Sequence, residues 1–483
     1  MKSLLQLTAL IGVCVTSSFA GQPNLLIIHT DEHNFRTLGC YRDQLSEDQA
    51  FVWGKGVAVE TPHIDSIARK GALFTSYYAA SPVCTPSRAS FVTGLYPIAT
   101  GSPVNDMPLL DEMVTFAEIL KRNGYATSYI GKWHLDGHDK PGWEPVRNFG
   151  FTDNRYMYNR GHWKIFEADG DGAKVVGEFN PAKNQYKYDI AEADEKSFAT
   201  DFLADRSIEI MERDKGGPFC LMLSLPDPHG PNTVRAPYDT MFDHMTFEEP
   251  RTMKAALKSS PGWSMVKGKN SAPELNQSQL RKYFGMVKCI DDNVGKILAY
   301  LKESGLEKNT IVIFTSDHGD SMGEHAKHNK GTPWESSAMI PFVIRYPEHI
   351  KPGKLVHTAY TTADFAPTIL GLMGADTQGQ EFHGQDRSRE FLDPAAEIRE
   401  DRIIYITNAG GRWVAAASDR YKLVLSHLDS PWLFDLERDP DELVNYFNNP
   451  EYGEIRHRMI KELNRQMKAF AEPALEKGNL KYE

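Results

Sequence analysis

The stretch Asn24-Leu-Leu-Ile-Ile28-His29-Thr30-Asp31-Glu32 decides the fold. Residues 24–28 are a continuous apolar run with no polar alternation, which reads as a central parallel strand covered on both faces. The run ends in a histidine and two carboxylates. The same pattern recurs down the chain. Residues 126–130 lead into Gly131-Lys132-Trp133-His134, residues 218–225 into Pro226-Asp227-Pro228-His229, and residues 310–315 into Ser316-Asp317-His318-Gly319.

Helical patterns separate these runs. Thr61-Pro62 starts a short helix with Ile64, Ile67 and Ala68 inward and Gly71 as its stop. Residues 73–78 read as a further strand. Thr115-Phe-Ala-Glu118 is a capping box whose helix stops at Gly124. Residues 191–213 and 279–304 read as long amphipathic helices. Strands alternating with helices predict an α/β fold, a mainly parallel sheet sandwiched by helices. Ligands of such sheets bind beyond the carboxyl ends of the strands. Asp31, Lys132, His134, His229, Asp317 and His318 all fall there.

From about Asp376 the pattern changes. Residues 403–407, 413–417 and 423–426 read as short strands without crossover helices, followed by a helix over 454–471. They predict a smaller C-terminal α+β subdomain with an antiparallel sheet. The expected division is residues 1–20 as a leader, 21–375 as the main catalytic domain and 376–483 as the subdomain. The leader has Lys2 as its positive end, an apolar segment over residues 4–15 and Ser18-Phe-Ala20 as a cleavage site. That apolar segment is too short to span a bilayer, and no later run is long enough. The expectation is an exported protein, periplasmic or secreted, without a membrane span. A net charge of −11 argues against a general nucleic-acid binder. Cys40, Cys84, Cys220 and Cys289 are too scattered to form a disulfide framework.

One cysteine stands apart. In Ser81-Pro-Val-Cys84-Thr-Pro86-Ser-Arg88-Ala-Ser90, Pro86 fits the first turn of a helix. Cys84 then lies at the helix N-terminus, where unpaired N–H groups favour anions, and Arg88 lies one turn on. A buried cysteine before a proline-started helix fits the local pattern equally well.

Taken together these blocks resemble the type I, formylglycine-dependent sulfatases of the alkaline phosphatase superfamily. The resemblance rests on Cys84-Thr-Pro-Ser-Arg88 with Thr93-Gly94-Leu-Tyr-Pro97, on Asp31, Gly131-Lys-Trp-His134 and Pro228-His229. It continues through Ser316-Asp-His-Gly319, Lys330-Gly-Thr, Trp334-Glu335, Ala363-Asp-Phe-Ala-Pro-Thr368 and Trp432-Leu-Phe-Asp-Leu-Glu-Arg-Asp-Pro440. It covers nearly all of the chain after the leader. It implies that Cys84 is oxidised to formylglycine by a maturing enzyme. It implies a calcium site of Asp31, Asp317 and His318 completed by residue 84, with Glu32 standing where many relatives carry a second aspartate. Arg88, Lys132 and Lys330 are then the cations for the nucleophile and the sulfate oxygens. His229 is the expected acid for the leaving oxygen and His134 the expected base, with exchange of the two roles left open. His325 and His328 are expected to stabilise their loop or face substrate.

Residues 151–166 interleave Tyr156, Tyr158 and Trp163 with Arg155, Arg160, His162 and Lys164. The stretch reads either as a sugar platform or as a half-buried excursion over the sheet. The expected substrate is a sulfated oligo- or polysaccharide, a carrageenan-type galactan first and a glycosaminoglycan second. The alternatives are a phosphonate or phosphate ester hydrolase using the same site and an arylsulfatase of small substrates. A non-catalytic carbohydrate-binding relative would be expected to lose the nucleophile, a histidine or a lysine, and all are present.

Overall fold

The computed structural model describes residues 21–483 apart from 183–184, 189, 191, 265–270, 393–400, 409, 477–479 and 481–483. The expected leader, residues 1–20, lies outside the described residues. Numbering only the principal elements, the first half contains β1 (Asn24–Asp31), α1 (Pro62–Arg69), β2 (Ala72–Phe74), α2 (Cys84–Thr93), α3 (Phe116–Arg122), β3 (Ala126–Lys132) and β4 (Asp153–Tyr158). There follow α4 (Ala199–Asp214), β5 (Phe219–Pro228), α5 (Gln277–Glu303), β6 (Thr310–Ser316), β7 (Phe342–Arg345), β8 (Lys354–Val356) and α6 (Phe365–Leu372). The C-terminal part has β9 (Ile404–Thr407), β10 (Trp413–Ala417), β11 (Tyr421–Ser426), β12 (Trp432–Asp435) and α7 (Gly453–Ala469).

β1 is buried along its whole length because its two faces feed different cores. Leu26 and Ile28 pack with Ile64 and Ile67 of α1, Leu203 of α4, and Ile290 and Val294 of α5. Leu25 and Ile27 pack with Phe91 of α2, Phe116 of α3 and Phe365 of α6. Strand side chains alternate, so an all-apolar strand implies helices on both faces. Each such side chain contributes about 1.5–3 kcal/mol by leaving water.

The eight-stranded sheet has the order β8-β2-β7-β6-β1-β5-β3-β4. β1 pairs in parallel with β5 and β6, and β3 with β5 and β4. β7 runs antiparallel to both of its neighbours. The registers bring Thr30 beside Ser316 and Asp31 beside Pro228, so the polar strand ends lie side by side. Gly131 closes β3 at φ +94, and a Cβ there would lie 1.9 Å from the Ser224 carbonyl oxygen of β5. Only glycine allows that approach.

The second sheet, β9-β10-β11-β12, is antiparallel, with a fourth strand where three were expected. One face, with Ile404, Trp413, Val424 and Phe434, joins the core of the main body. The other, with Val414, Leu423 and Leu433, is covered by Met459, Leu463 and Met467 of α7.

Two expected elements differ. The strand expected over residues 73–78 is broken. Ala72–Phe74 stays in the main sheet, and Tyr77–Tyr78 pairs with Tyr360–Thr361 in a sheet of its own. The helix expected over residues 191–213 begins only at Ala199. Asp194 Oδ1 accepts the N–H groups of Lys196 and Ser197 and the Ser197 hydroxyl, forming a turn that competes with helix there. The capping box at Thr115 is half made: Thr115 Oγ1 accepts Glu118 N–H, while the Glu118 carboxylate pairs with Arg122.

Candidate active site

Cys84 is the first residue of α2 and is buried. Its Sγ lies 3.2 Å from His318 Nε2 and 3.8 Å from Asp31 Oδ1. Asp31, Cys84, Asp317 and His318 offer ligand atoms all within 4.8 Å of one another. β1 supplies the first of these, α2 the second and the end of β6 the last two. Arg88 ties the carboxylates together. Its Nε donates to Asp317 Oδ2 at 2.9 Å and its Nη2 to Asp31 Oδ2 at 3.1 Å. Its Nη1 donates to the Lys132 carbonyl at 2.9 Å and to Ser224 Oγ at 2.8 Å. A buried guanidinium with these partners is a clamp as much as an anion site.

The electrostatics follow from the packing. Burial pushes the Asp31 carboxyl up, but Lys132, His229 and Arg88 outweigh it and hold it well below the usual carboxylate range. Burial and the charge of Asp31 push Asp317 up. Burial works against the Cys84 thiolate, yet Lys330, Lys132 and His318 pull that thiol well below its ordinary value. The cluster is therefore a place where negative charge is concentrated and balanced by cations.

Lys132 and Lys330 flank it. Lys132 Nζ meets Asp31 Oδ2 and lies 2.8 Å from His162 Nε2. Lys330, on the loop over residues 319–334, has its Nζ 2.8 Å from His229 Nε2 and 3.3 Å from Glu32 Oε1. His229 Nδ1 is 2.6 Å from the Gly230 carbonyl, so that nitrogen donates, and Nε2 lies 3.0 Å from Glu32 Oε2. Burial lowers the His229 pKa, but the Glu32 carboxylate outweighs burial and Lys330, and the imidazole is raised to about 9. His134 follows β3 with its Nε2 2.9 Å from Asp106 Oδ1. Glu32 and His134 both sit at positive φ, 63° and 62°, where a side chain is strained unless its surroundings hold it.

The structure thus brings Asp31, Glu32, Cys84, Arg88, Lys132, His134, His229, Asp317, His318 and Lys330 to one end of the sheet. His325 is elsewhere: its ring stacks on Trp334 at 3.9 Å, inside the protein. The sugar platform expected in residues 151–166 is not formed by its aromatic rings. Tyr156, Tyr158 and Trp163 are buried, and Lys164 is spent on Asp227 Oδ1 at 2.5 Å. His162 from that stretch does reach the site and stacks on His229 with ring centroids 3.6 Å apart. Asp106 and Ser224 were not singled out in the sequence. Both act through partners far away in the chain, which leaves no local pattern to read. An open cleft of about 920 Å³ runs from Glu32 and His229 past Asn232, Asn276, Gln279 and Asn329.

The donor set suits a hard divalent cation, which takes carboxylate oxygens. Glu32 Oε1 is buried, with Lys330 Nζ 3.3 Å away as an ion pair and no directed hydrogen bond from the described residues, so its lone pairs suit such an ion.

Comparison with known proteins gives concordant matches. The family model described as Sulfatase matches residues 23–375, and that described as N-sulphoglucosamine sulphohydrolase, C-terminal, matches residues 323–469. The chain is 30% identical over 465 residues to the ulvan-active sulfatase of Formosa agariphila, spanning 92% of this chain and 81% of that protein. It is 26% identical over 523 residues to the N-acetylglucosamine-6-O-sulfatase of Bacteroides thetaiotaomicron, spanning 93% and 87%. A structure solved in complex with D-glucosamine-2-N,6-O-disulfate superposes with a TM-score of 0.72 at 22% identity, covering 94% of this chain and 99% of that one. Among the described residues no helix is long and apolar enough to cross a membrane. By the reach of the first match along the chain, this protein belongs to the sulfatase family of the alkaline phosphatase superfamily and is a sulfuric ester hydrolase.

Proposed function

We propose that the protein removes sulfate from a sulfated oligo- or polysaccharide, a carrageenan-type galactan first and a glycosaminoglycan second. The observation that carries the reading is the meeting of Cys84 with three potential metal ligands, two lysines and two histidines at one sheet end. Relatives whose names specify ulvan and N-acetylglucosamine-6-O-sulfate support a carbohydrate, as does the polar cleft leading away from His229.

In this reading Asp31, Asp317, His318 and Glu32 hold calcium, which when bound draws charge from a sulfate oxygen. Residue 84, oxidised from cysteine to formylglycine by a maturing enzyme, supplies as its hydrate two hydroxyls on one carbon, one to attack sulfur and one to release sulfate. Lys132 and Lys330 receive the sulfate oxygens and offset the charge that grows on them in the transition state. Arg88 keeps Asp31 and Asp317 in place. His229 gives its proton to the leaving sugar oxygen; its Nε2 faces the cluster beside Lys330, while its Nδ1 is fixed on the Gly230 carbonyl. His134 takes a proton from the side chain at position 84. Exclusion of bulk water follows from the burial of Cys84, Arg88 and Lys132. Export through the leader at residues 1–20 would bring the enzyme to polymeric substrate.

The test is sulfate release by matured protein from defined carrageenan, ulvan and glycosaminoglycan oligosaccharides, beside aryl sulfate and aryl phosphate. Sulfate release from an oligosaccharide is expected, together with the thiol-to-aldehyde mass change at residue 84 and complete loss of turnover in Cys84→Ala. Turnover of the small aryl esters alone, or full activity with an intact thiol, would sink the proposal.

A further inference from the structure

We infer that Asp106 is the positioning residue for His134, holding the ring as the Nε2–H tautomer with Nδ1 turned to the side chain at position 84. This rests on the role proposed above for His134. Asp106 is assigned no part by the sequence patterns, and its place in the fold is unusual. It lies on a turn remote in sequence from the strand ends, yet its Oδ1 is 2.9 Å from His134 Nε2. A carboxylate only accepts, so Nε2 must carry the hydrogen. Nδ1 of the same ring is buried and makes no hydrogen bond among the described residues. A buried ring nitrogen with a lone pair and no partner is costly unless something is meant to meet it. Residue 84 is next to Thr85, whose hydroxyl bonds the His134 carbonyl, so the helix start that carries the side chain at position 84 lies against this histidine.

The turn is built to keep that arrangement. Asp106 Oδ2 pairs with Arg160 Nη2 at 2.7 Å, so both carboxylate oxygens are engaged and neither can swing away. Asp106 N–H donates to Thr85 Oγ1 at 3.3 Å, and Thr85 Oγ1 donates to the His134 carbonyl at 3.0 Å. Asn105 Oδ1 accepts Thr85 N–H at 3.0 Å. The residue after Cys84 is thereby bonded to the turn that holds the ring and to the backbone of the ring itself. Asp106 also sits at φ 68°, a left-handed conformation that its surroundings must impose. A chance surface ion pair explains the contact with His134 but neither the double engagement nor the link through Thr85. The result is the logic of an orienting carboxylate, a base and a nucleophile-bearing residue in line.

Long-range proton–nitrogen spectra of the full chain labelled in histidine, with His134→Gln used to assign the ring, read the tautomer directly. The parent is expected to show Nε2–H at His134. In Asp106→Ala that tautomer should no longer dominate, and kcat on an aryl sulfate should fall roughly 10²-fold with KM within about threefold. Asp106→Glu should recover part of both. A parent ring carrying its hydrogen on Nδ1 would overturn the inference without any variant having to fold. So would an Asp106→Ala enzyme with unchanged tautomer or with kcat within about threefold of the parent. If the matured parent releases no sulfate at all, the sulfate ester reading of this site fails, while the tautomer measurement still decides the part played by Asp106.

Discussion

Glu32 shows how one residue can serve two partners. Its Oε2 faces His229 Nε2 at 3.0 Å, and its Oε1 lies 3.3 Å from Lys330 Nζ without a directed hydrogen bond among the described residues. With no ion bound, His229 takes the benefit: its pKa is raised to about 9 against the combined effect of burial and Lys330. A histidine raised above its unfolded value contributes stability that is complete below about pH 6.5 and lost as pH rises through the folded value. Chelator-treated protein should therefore lose resistance to urea between about pH 6.5 and pH 9. His229→Gln should not show that loss. Adding calcium should shift the parent's loss to lower pH, because the ion competes for Glu32. Equal pH profiles for parent and variant would show that Glu32 and His229 are not coupled in this way.

Among the elements, α1 shows where a sequence pattern runs out. Thr61 and Pro62 mark its start, but the Thr61 side chain makes no cap bond. The cap comes from α5: Asp291 Oδ1 accepts the N–H groups of His63 and Ile64 at 3.0 and 2.9 Å. Asp291→Ala should cost about 2 kcal/mol in urea unfolding, the value of a charged cap with two donors. β1, β5 and β6 were legible as buried apolar runs and β3 by its place after the helix stop at Gly124, and the polar residues at their ends follow from the chain itself. The partners of Asp106, His162 and Ser224 were not, because each lies far away in the chain: Ser224 reaches across the sheet from β5 and the other two sit on loops, where no local spacing encodes the meeting. The start of α4 was misread for a related reason: helical periodicity continues into residues 191–198, while the turn at Asp194 captures the backbone first. The aromatic stretch at residues 151–166 had the composition of a platform, but residues 153–158 form the edge strand β4 and Tyr156, Tyr158 and Trp163 turn into the core.

At the scale of the whole molecule, the second sheet is tied to the site by one buried lysine. Lys422 of β11 donates to the Pro333 carbonyl at 2.8 Å, to Glu442 Oε1 at 2.8 Å and to Glu335. Trp413 Nε1 of β10 donates to the Gly331 carbonyl at 3.3 Å. The loop that carries Lys330 is therefore held by residues from the proposed subdomain 376–483. Lys422→Met leaves the buried Glu442 and the half-buried Glu335 without their cation and should cost roughly 3–5 kcal/mol. Adding Glu442→Gln should return part of it, because burial, with the charge of Glu335 beside it, raises Glu442 to about 7 even against Lys422. Unfolding curves of the single and double variants measure both effects.

The Lys422 contact also sets an order of events during synthesis. When Lys330 has left the ribosome, the strand that braces its loop has yet to be made. Every side chain proposed to act on the ester is present by then, but the loop lacks these braces until β10 and β11 arrive. Under the proposed maturation, that interval is when an enzyme would meet the turn at Cys84 before the finished protein buries it. Slowing translation after residue 334 should then raise the matured fraction, read by mass spectrometry of the Cys84 peptide.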